Sequence, residues 1–409
     1  MPGSTVFYFN PTCELAVANC EFSYMPPKLL REFEEDCSIL PFVFAAPNDV
    51  VLTGKKPSAA FTKKFAEAGF ELPDFFSLEE LITKRSIAIN SILPWGWSPA
   101  AHFILKDLKE KCLLEFRESP VYHWLDEHKK LVERETSLRF LEKTLNECPR
   151  DFFIGPEMTG IKVTGMEEIE LQMKKWGAIV LKAPLSSAGR GIQIIRKQIL
   201  NSSNKQWITG ILKQQKYLIA EPFLDKLADL SFQFEVTENG GISYLGRTFF
   251  ETNTNGQYKG TRLNPDLNQL FPDVNALELG KIVDDTAQIL RAALNESDYP
   301  VFYRGYLGVD ALIFRHDEKT LIQPCIEINC RMNMGGLALI LEKKISGKST
   351  GRFELFYGSP GEYQAFCTKQ TAINPPKLRD GKLSSGFMPL VEPDPEKKFG
   401  AYISLVESR

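Results

Sequence analysis

The chain has 409 residues, of which 43% are hydrophobic and 25% charged, with a net charge of −3. That is enough chain for two or three domains with sizeable cores, and the near-neutral balance gives no reason to expect nucleic acid or an anionic membrane as a partner. No apolar run approaches a membrane span, and the first five residues lack a basic stretch leading into an apolar one, so neither a membrane segment nor a secretory signal is expected. The eight cysteines contain no C-x-x-C pair, which argues against a zinc ribbon or disulfide framework and fits a reducing cytoplasm. With four histidines and no helical ligand spacing among them, zinc catalysis and histidine triads fit poorly.

In chain order, residues 6–9 read as a strand stopped by Asn10 and Pro11. A helix is predicted over 27–35, strands over 39–44 and 50–53, and a helix over 58–69 capped by Ser58 and stopped by Gly69. Ser77 with Glu80 forms a capping-box start. Alternation of strands and helices predicts an α/β layer with a mainly parallel sheet. Asn10, Pro11, Thr12 and Glu14 fall just past the first strand, where such sheets place ligands, although ordinary loop chemistry accounts better for these residue types. Trp95 and Trp97 flank Gly96 and read as a packing corner before a substrate rim. Helices are predicted over 99–112 and 126–146, the second carrying Arg134.

From 151 the pattern changes. A helix over 167–176 precedes an apolar strand interrupted by Lys182, then a Ser/Gly loop over 186–191, then a strand over 192–195. The loop's N–H groups could cradle phosphate, though a Ser/Gly hairpin tip alone is more often just a turn. It is no P-loop, and the one Gly-Lys-Ser, at 347–349, has Glu342 where the first glycine should stand. A strand over 217–220 ends at Glu221, Pro222 and Phe223; 229–236 and 243–250 form an antiparallel pair; 281–295 is helical.

Residues 306–314 and 320–331 flank a charged turn, the pattern of an antiparallel hairpin. Alternation puts Glu327, Asn329 and Arg331 on one face and Ile326, Ile328 and Cys330 on the other. Folding back brings Asp310 near Cys325 and Glu327. Two carboxylates and an amide oxygen are hard ligands suited to Mg²⁺, which also takes substrate phosphates. Arg331 could grip a phosphate with its planar fork. The alternative is a solvated polar face; Asp310 inside an apolar strand speaks against it.

Lys182 on a strand, the loop 186–191, Glu221-Pro222, Asp229-x-Ser231, and Asp310 with Glu327-x-Asn329-x-Arg331 together resemble the ATP-grasp superfamily, over roughly 126–341. The preceding region resembles the domain that usually comes before it. The fold class this implies is α/β and α+β: a Rossmann-like pre-ATP-grasp domain (1–125), a small lobe with the Lys strand and flap (126–220), a large lobe with the metal-binding hairpin (221–350), and a small strand-rich C-terminal tail (351–409). The resemblance implies ATP and Mg²⁺ (or Mn²⁺) as cofactors. It implies Arg134 and Lys182 as phosphate contacts, and Ser186, Ser187, Gly189 and Gly191 as the flap. Glu221 and Phe223 would belong to the hinge that reads adenine, and Asp229 would hold the ribose, with Ser231 as the two-residue alternative. Asp310, Glu327 and Asn329 would be metal ligands, and Arg331 would hold the γ-phosphate or acyl phosphate.

The implied activity is an ADP-forming ligase that activates a carboxylate as an acyl phosphate for attack by an amine or thiol. Phosphoryl transfer needs positioning, metal and positive charge rather than histidine, which agrees with the composition. A kinase on the same scaffold and a non-catalytic nucleotide-binding regulator are the rival readings; the full metal set counts against the second. Partners expected are small-molecule or peptide carboxylates and amines, no nucleic acid and no membrane, and a homodimer is compatible. Arg247, Asn253 and Asn255 are candidates for the acceptor side, a solvated strand end and turn being an equal alternative. Nothing before 126 or after 341 names the acceptor.

Overall fold

The computed structural model describes residues 3–84, 87–186, 191–254 and 256–407. Its strands form three sheets. The first consists of β1 (Ser4–Tyr8), β2 (Val50–Leu52), β3 (Asp74–Phe76) and β4 (Ile89–Pro94), parallel, in the order β3-β2-β1-β4. Ser58 caps the helix Ala59–Glu67, and Ser77 and Glu80 make the reciprocal capping box that starts Leu78–Thr83. The strand expected over 39–44 is instead a 3-10 turn, Leu40–Val43. All four of its side chains are buried, and Pro41 has no N–H for a ladder. A short run buried on every side carries no periodicity to separate strand from helix.

Two predicted helices are broken. The first splits into Pro99–Ile104 and Lys106–Lys109. The second splits into Asp126–Leu131 and Arg134–Glu147, and the break places Arg134 at the first helical position, where its N–H reaches the Pro184 carbonyl at 3.1 Å.

The second sheet contains β5 (Ile161–Val163), β6 (Ile179–Lys182), β7 (Ile192–Ile195) and β8 (Leu218–Pro222), antiparallel, in the order β5-β8-β6-β7. Helices Met166–Trp176 and Ser202–Gln215 cover it, and Val163, Ile169, Leu181, Ile208 and Leu218 form its core.

The third sheet has nine strands: β9 (Asp225–Val236), β10 (Ile242–Thr252), β11 (Tyr258–Leu263), β12 (Gly305–His316), β13 (Lys319–Asn329), β14 (Ser349–Tyr357), β15 (Lys377–Arg379), β16 (Lys382–Pro389) and β17 (Phe399–Glu407). Their order is β13-β12-β9-β10-β11-β14-β17-β16-β15, so the C-terminal strands extend the sheet that carries the hairpin. Alternation divides its faces. Leu230, Phe232 and Phe234 of β9 join Leu279, Val283 and Leu290 of the helix Ala276–Asn295 in one core. Asp229, Ser231 and Gln233 turn to the other face, where the helix Met334–Lys344 packs. That helix shares a core with Phe7 and Trp95 of the first unit and with Phe353, Ile403 and Leu405 of the C-terminal strands. No helix among the described residues is long and apolar enough to cross a membrane.

One buried cation lies away from all this. Lys109 Nζ is 2.8 Å from His102 Nδ1, donates to the Tyr122 carbonyl and stands 4.6 Å from the centre of the Tyr122 ring, with no ion-pair partner among the described residues. Burial pulls its ammonium down to about 8. Between that value and the ordinary 10.5 the unfolded chain binds a proton the folded chain has lost, so this group's contribution to stability rises with pH there and is flat below. Lys109→Met should therefore stabilise the fold at pH 7 by on the order of 2 kcal/mol, the gain shrinking towards pH 10.5. Urea unfolding of both proteins across pH checks this; a difference independent of pH contradicts it.

Candidate functional site

The hairpin pairs Asp310 directly with Glu327, and Gly308 with Asn329. The register then slips between Asp310 and Leu312, where Pro324 interrupts the partner strand as prolines do at bulges. Ser137 supports this strand: its hydroxyl accepts from the Ile328 N–H at 2.9 Å.

Asp310 lies between two donors. Ser231 Oγ donates to Oδ1 at 2.7 Å and Asn329 Nδ2 donates to Oδ2 at 2.9 Å. Gln233 donates in turn to Ser231 at 2.8 Å. Burial pushes the Asp310 carboxyl up to about 6, and the Glu327 charge adds to the rise; the bonds from Ser231 and Asn329 and the Arg331 charge oppose it. Arg331 closes the other end. Its Nη2 donates to Asn329 Oδ1 at 2.7 Å and its Nε to Glu14 Oε1 at 2.8 Å. Burial works against the guanidinium charge, but Glu14 and its neighbours outweigh it and raise the Arg331 pKa. A chain of polar contacts thus runs from Gln233 through Asp310 to Glu14 in the parallel-sheet unit.

Arg134 is buried at 4% exposure and holds both Glu327 oxygens from Nη2, at 3.0 and 3.2 Å. Its Nη1 donates to Ser186 Oγ at 2.7 Å and to the Ala183 carbonyl. Gly191 makes room for Ser186, since a Cβ on it would stand 2.2 Å from the Ser186 Cβ. Ser187 and Gly189 lie outside the described residues.

Arg134, Ser186, Ser231, Asp310, Glu327, Asn329 and Arg331 all line one cavity of about 240 Å³. Lys182, Glu221, Phe223 and Asp229 do not. Lys182 Nζ and Glu221 Oε2 form an ion pair at 2.6 Å, both nearly buried, so two residues expected to serve separate ends of a nucleotide hold each other. Phe223 is 39% exposed under the Arg196 guanidinium, 4.9 Å from its ring centre. Asp229 accepts from Lys226 at 2.6 Å and from Thr252 at 3.1 Å.

Three readings of the sequence change. Arg247 pairs across the ladder with Phe232 on the core side and reaches Asp284, away from the cavity; the register shift just before it, between Tyr244 and Gly246, helps set its side. Asn253 closes the β10–β11 turn with Gln257, and Asn255 lies outside the described residues. Pro11, Thr12 and Glu14, better explained from sequence as loop chemistry, line the cavity, as does Trp95.

Sequence reasoning missed Asn333. It caps the helix Met334–Lys344 by accepting from the Gly336 N–H at 2.9 Å, while its Nδ2 is buried without a partner among the described residues. Gly308 admits it: a Cβ there would stand 2.6 Å from that nitrogen. Asn333, Met334 and Gly335 line the cavity, so the first turn of the helix faces it. An asparagine opening an apolar helix two residues past Arg331 was the available signal.

Among the described residues no group of three or more His, Cys, Asp or Glu is placed to hold a metal. The set here is different in kind: two carboxylates and one amide on adjacent strands. Asp310 spends one lone pair on each oxygen and retains the others. Such an oxygen-only set fits Mg²⁺, which relies on one or two carboxylates and completes its shell with phosphate and water.

No protein-family model and no curated protein sequence matches the chain. Solved structures match its fold. The ADP complex of N5-carboxyaminoimidazole ribonucleotide synthetase aligns with a TM-score of 0.51 at 11% identity, over 99% of this chain and 93% of that one. The β-γ-ATP complex of biotin carboxylase from Campylobacter jejuni aligns at 0.51 and 12% identity, over 100% and 88%. The biotin carboxylase domain dimer of Hydrogenobacter thermophilus 2-oxoglutarate carboxylase, with MgADP, ADP and bicarbonate, aligns at 0.50 and 11% identity, over 99% and 86%. The chain has the ATP-grasp fold, with a parallel-sheet unit ahead of its two α+β lobes.

Removing Arg331 strands a buried carboxylate and an amide oxygen together. Arg331→Met should cost roughly 2–4 kcal/mol, and Arg331→Lys should recover only part, because an ammonium cannot make both contacts from one plane. Urea denaturation measures both; a loss under about 0.5 kcal/mol for the methionine variant contradicts the coupling.

Proposed function

We propose that this protein is an ADP-forming ligase that uses ATP and Mg²⁺ (or Mn²⁺) to activate a carboxylate as an acyl phosphate and passes the acyl group to an amine. The observation that carries the reading is the convergence of Asp310, Glu327, Asn329, Arg331 and Arg134 on one cavity between the parallel-sheet unit and the lobes. The ADP, ATP-analogue and bicarbonate named with the neighbouring structures agree with it.

The carboxylates and Asn329 would hold the metal, which would offset charge between the terminal phosphates and the incoming carboxylate. Arg134 and Lys182 would trade their protein carboxylates for phosphate oxygens; that each already holds a carboxylate while itself buried supports this. Arg331 would hold the transferred phosphoryl group against the substrate carboxylate. Asn333 Nδ2 and the first turn of its helix supply donors for the carboxylate, which the N-terminal end of a helix favours. In the second half the amine nitrogen bonds to the acyl carbon and the acyl C–O bond to phosphate breaks. Acyl phosphate dianion and ammonium give amide, hydrogen phosphate and one proton.

Glu327→Gln should lower turnover at least about 100-fold with an unchanged circular dichroism spectrum. Lys182→Ala should raise the ATP Kd by roughly 10-fold or more, as expected for a lost charged contact. Coupled ADP-release assays over paired carboxylate and amine panels read the first, and calorimetry the second. ADP release that needs a carboxylate and an amine together supports the ligase. Release driven by an alcohol alone points to a kinase, and ATP binding with no ADP from any acceptor points to a regulator.

A further inference from the structure

The parallel sheet carries a second cavity, of about 620 Å³, that the chemistry above leaves unused. It lies over the C-terminal ends of all four strands: Tyr8 and Asn10 line it after β1, Thr53 after β2, Ser77 after β3 and Ser98 after β4. Open parallel sheets bind ligands at that edge, beside the point where strand order reverses. In the order β3-β2-β1-β4 that point is β1. The volume is that of a small-molecule site.

The lining is apolar with few polar groups, each in a particular state. Phe22, Met25 and Phe103 line the cavity yet remain 57%, 65% and 50% exposed, a large apolar surface left around one opening. The Thr53 hydroxyl, on a residue 5% exposed, has no hydrogen-bond partner among the described residues. Glu34 Oε1 accepts both the N–H and the hydroxyl of Thr12, at 3.2 and 2.6 Å. Among the described residues no cation pairs with Glu34. Burial raises its carboxyl above the usual range, against the two bonds from Thr12. Glu35 and Glu79 add negative charge at the rim; among the described residues the one basic side chain lining the cavity, Arg31, donates to the Met25 sulfur at 3.0 Å. A half-buried carboxylate without a counter-ion, an orphaned hydroxyl and bare aromatic surface are together what a cationic ligand with an apolar body would complete.

We propose that this cavity binds a primary ammonium group carried on an apolar or aromatic body. Glu34 is its counter-ion, Thr53 supplies a further polar contact, and Phe22, Met25 and Phe103 cover the body. Thr12 lines both cavities, and two residues on, Glu14 holds Arg331. Cys13, between them, is close enough to feel Glu14, Arg331 and Glu34 together. The ammonium site therefore backs directly onto the reaction cleft. On the ligase reading, on which this last step rests, the ligand is the amine that accepts the acyl group.

Calorimetry on the full chain without nucleotide tests the site, using phenethylamine, 2-phenylethanol and 3-phenylpropionate as probes. Phenethylamine should bind at least about 10-fold tighter than the alcohol, with the carboxylate weakest, as a charge-assisted contact predicts. Glu34→Gln should abolish the amine-over-alcohol preference. Phe103→Ala, a surface change, should weaken phenethylamine while leaving methylamine unaffected. Equal binding of amine and alcohol, or a preference that survives in Glu34→Gln, overturns the proposal. ADP binding measured alongside separates the two readings. Amine selectivity without ADP binding leaves this site standing and sinks the ligase; ADP binding without amine selectivity does the reverse.

Discussion

A half-buried carboxylate on an inner strand must be held by its neighbours, and Asp310 determines much of what surrounds it. Ser231 from one side and Asn329 from the other each donate a hydrogen bond to it. Those two donors are themselves oriented, by Gln233 and by Arg331. Arg331, nearly enclosed, needs an anion of its own and finds Glu14 on the far side of the chain, in the parallel-sheet unit. The contacts around one acid thus tie the central sheet to the unit that precedes it and shape the cavity between them.

The same arrangement gives the cavity a lining of both acids and guanidinium groups. Glu14, Asp310 and Glu327 face Arg134 and Arg331, so protein charge alone leaves one negative charge in excess in the cavity. Every guanidinium there is occupied by a protein acceptor. On the proposed function, phosphate groups arriving with a divalent cation would exchange these internal partners for external ones instead of meeting undressed charges, which would keep the desolvation cost of binding low. The Lys182–Glu221 pair on the small lobe follows the same logic.

How much of this could be read from the sequence depended on how local the determining contact was. The pairing of Asp310 with Glu327 was legible because a hairpin's two-residue period and short turn carry it. Ser58 and Ser77 were legible as caps because their partners stand three residues away. Glu14 was undervalued because its partner is 317 residues distant and its own setting is an ordinary loop. The side Arg247 takes stayed open between the acceptor and a solvated strand end, because which face a strand residue takes depends on the ladder around it, and that ladder is irregular between Tyr244 and Gly246. The turn at Leu40–Val43 looked like a strand because uniform burial erases the period that would reveal it. Asn333 was readable only as a cap; where its Nδ2 sits depends on the space that Gly308 leaves across the sheet.

The central claim is that Asp310, Glu327 and Asn329 hold a divalent cation against the terminal phosphates of ATP. A crystal structure with a non-hydrolysable ATP analogue and Mn²⁺, collected for anomalous scattering, tests it most directly. The account predicts a manganese peak within about 2.3 Å of carboxylate oxygens of Asp310 and Glu327, near the Asn329 amide oxygen, and bridging to the β- and γ-phosphates. A nucleotide bound with its metal elsewhere, or with those three side chains still in their internal hydrogen bonds, would contradict it.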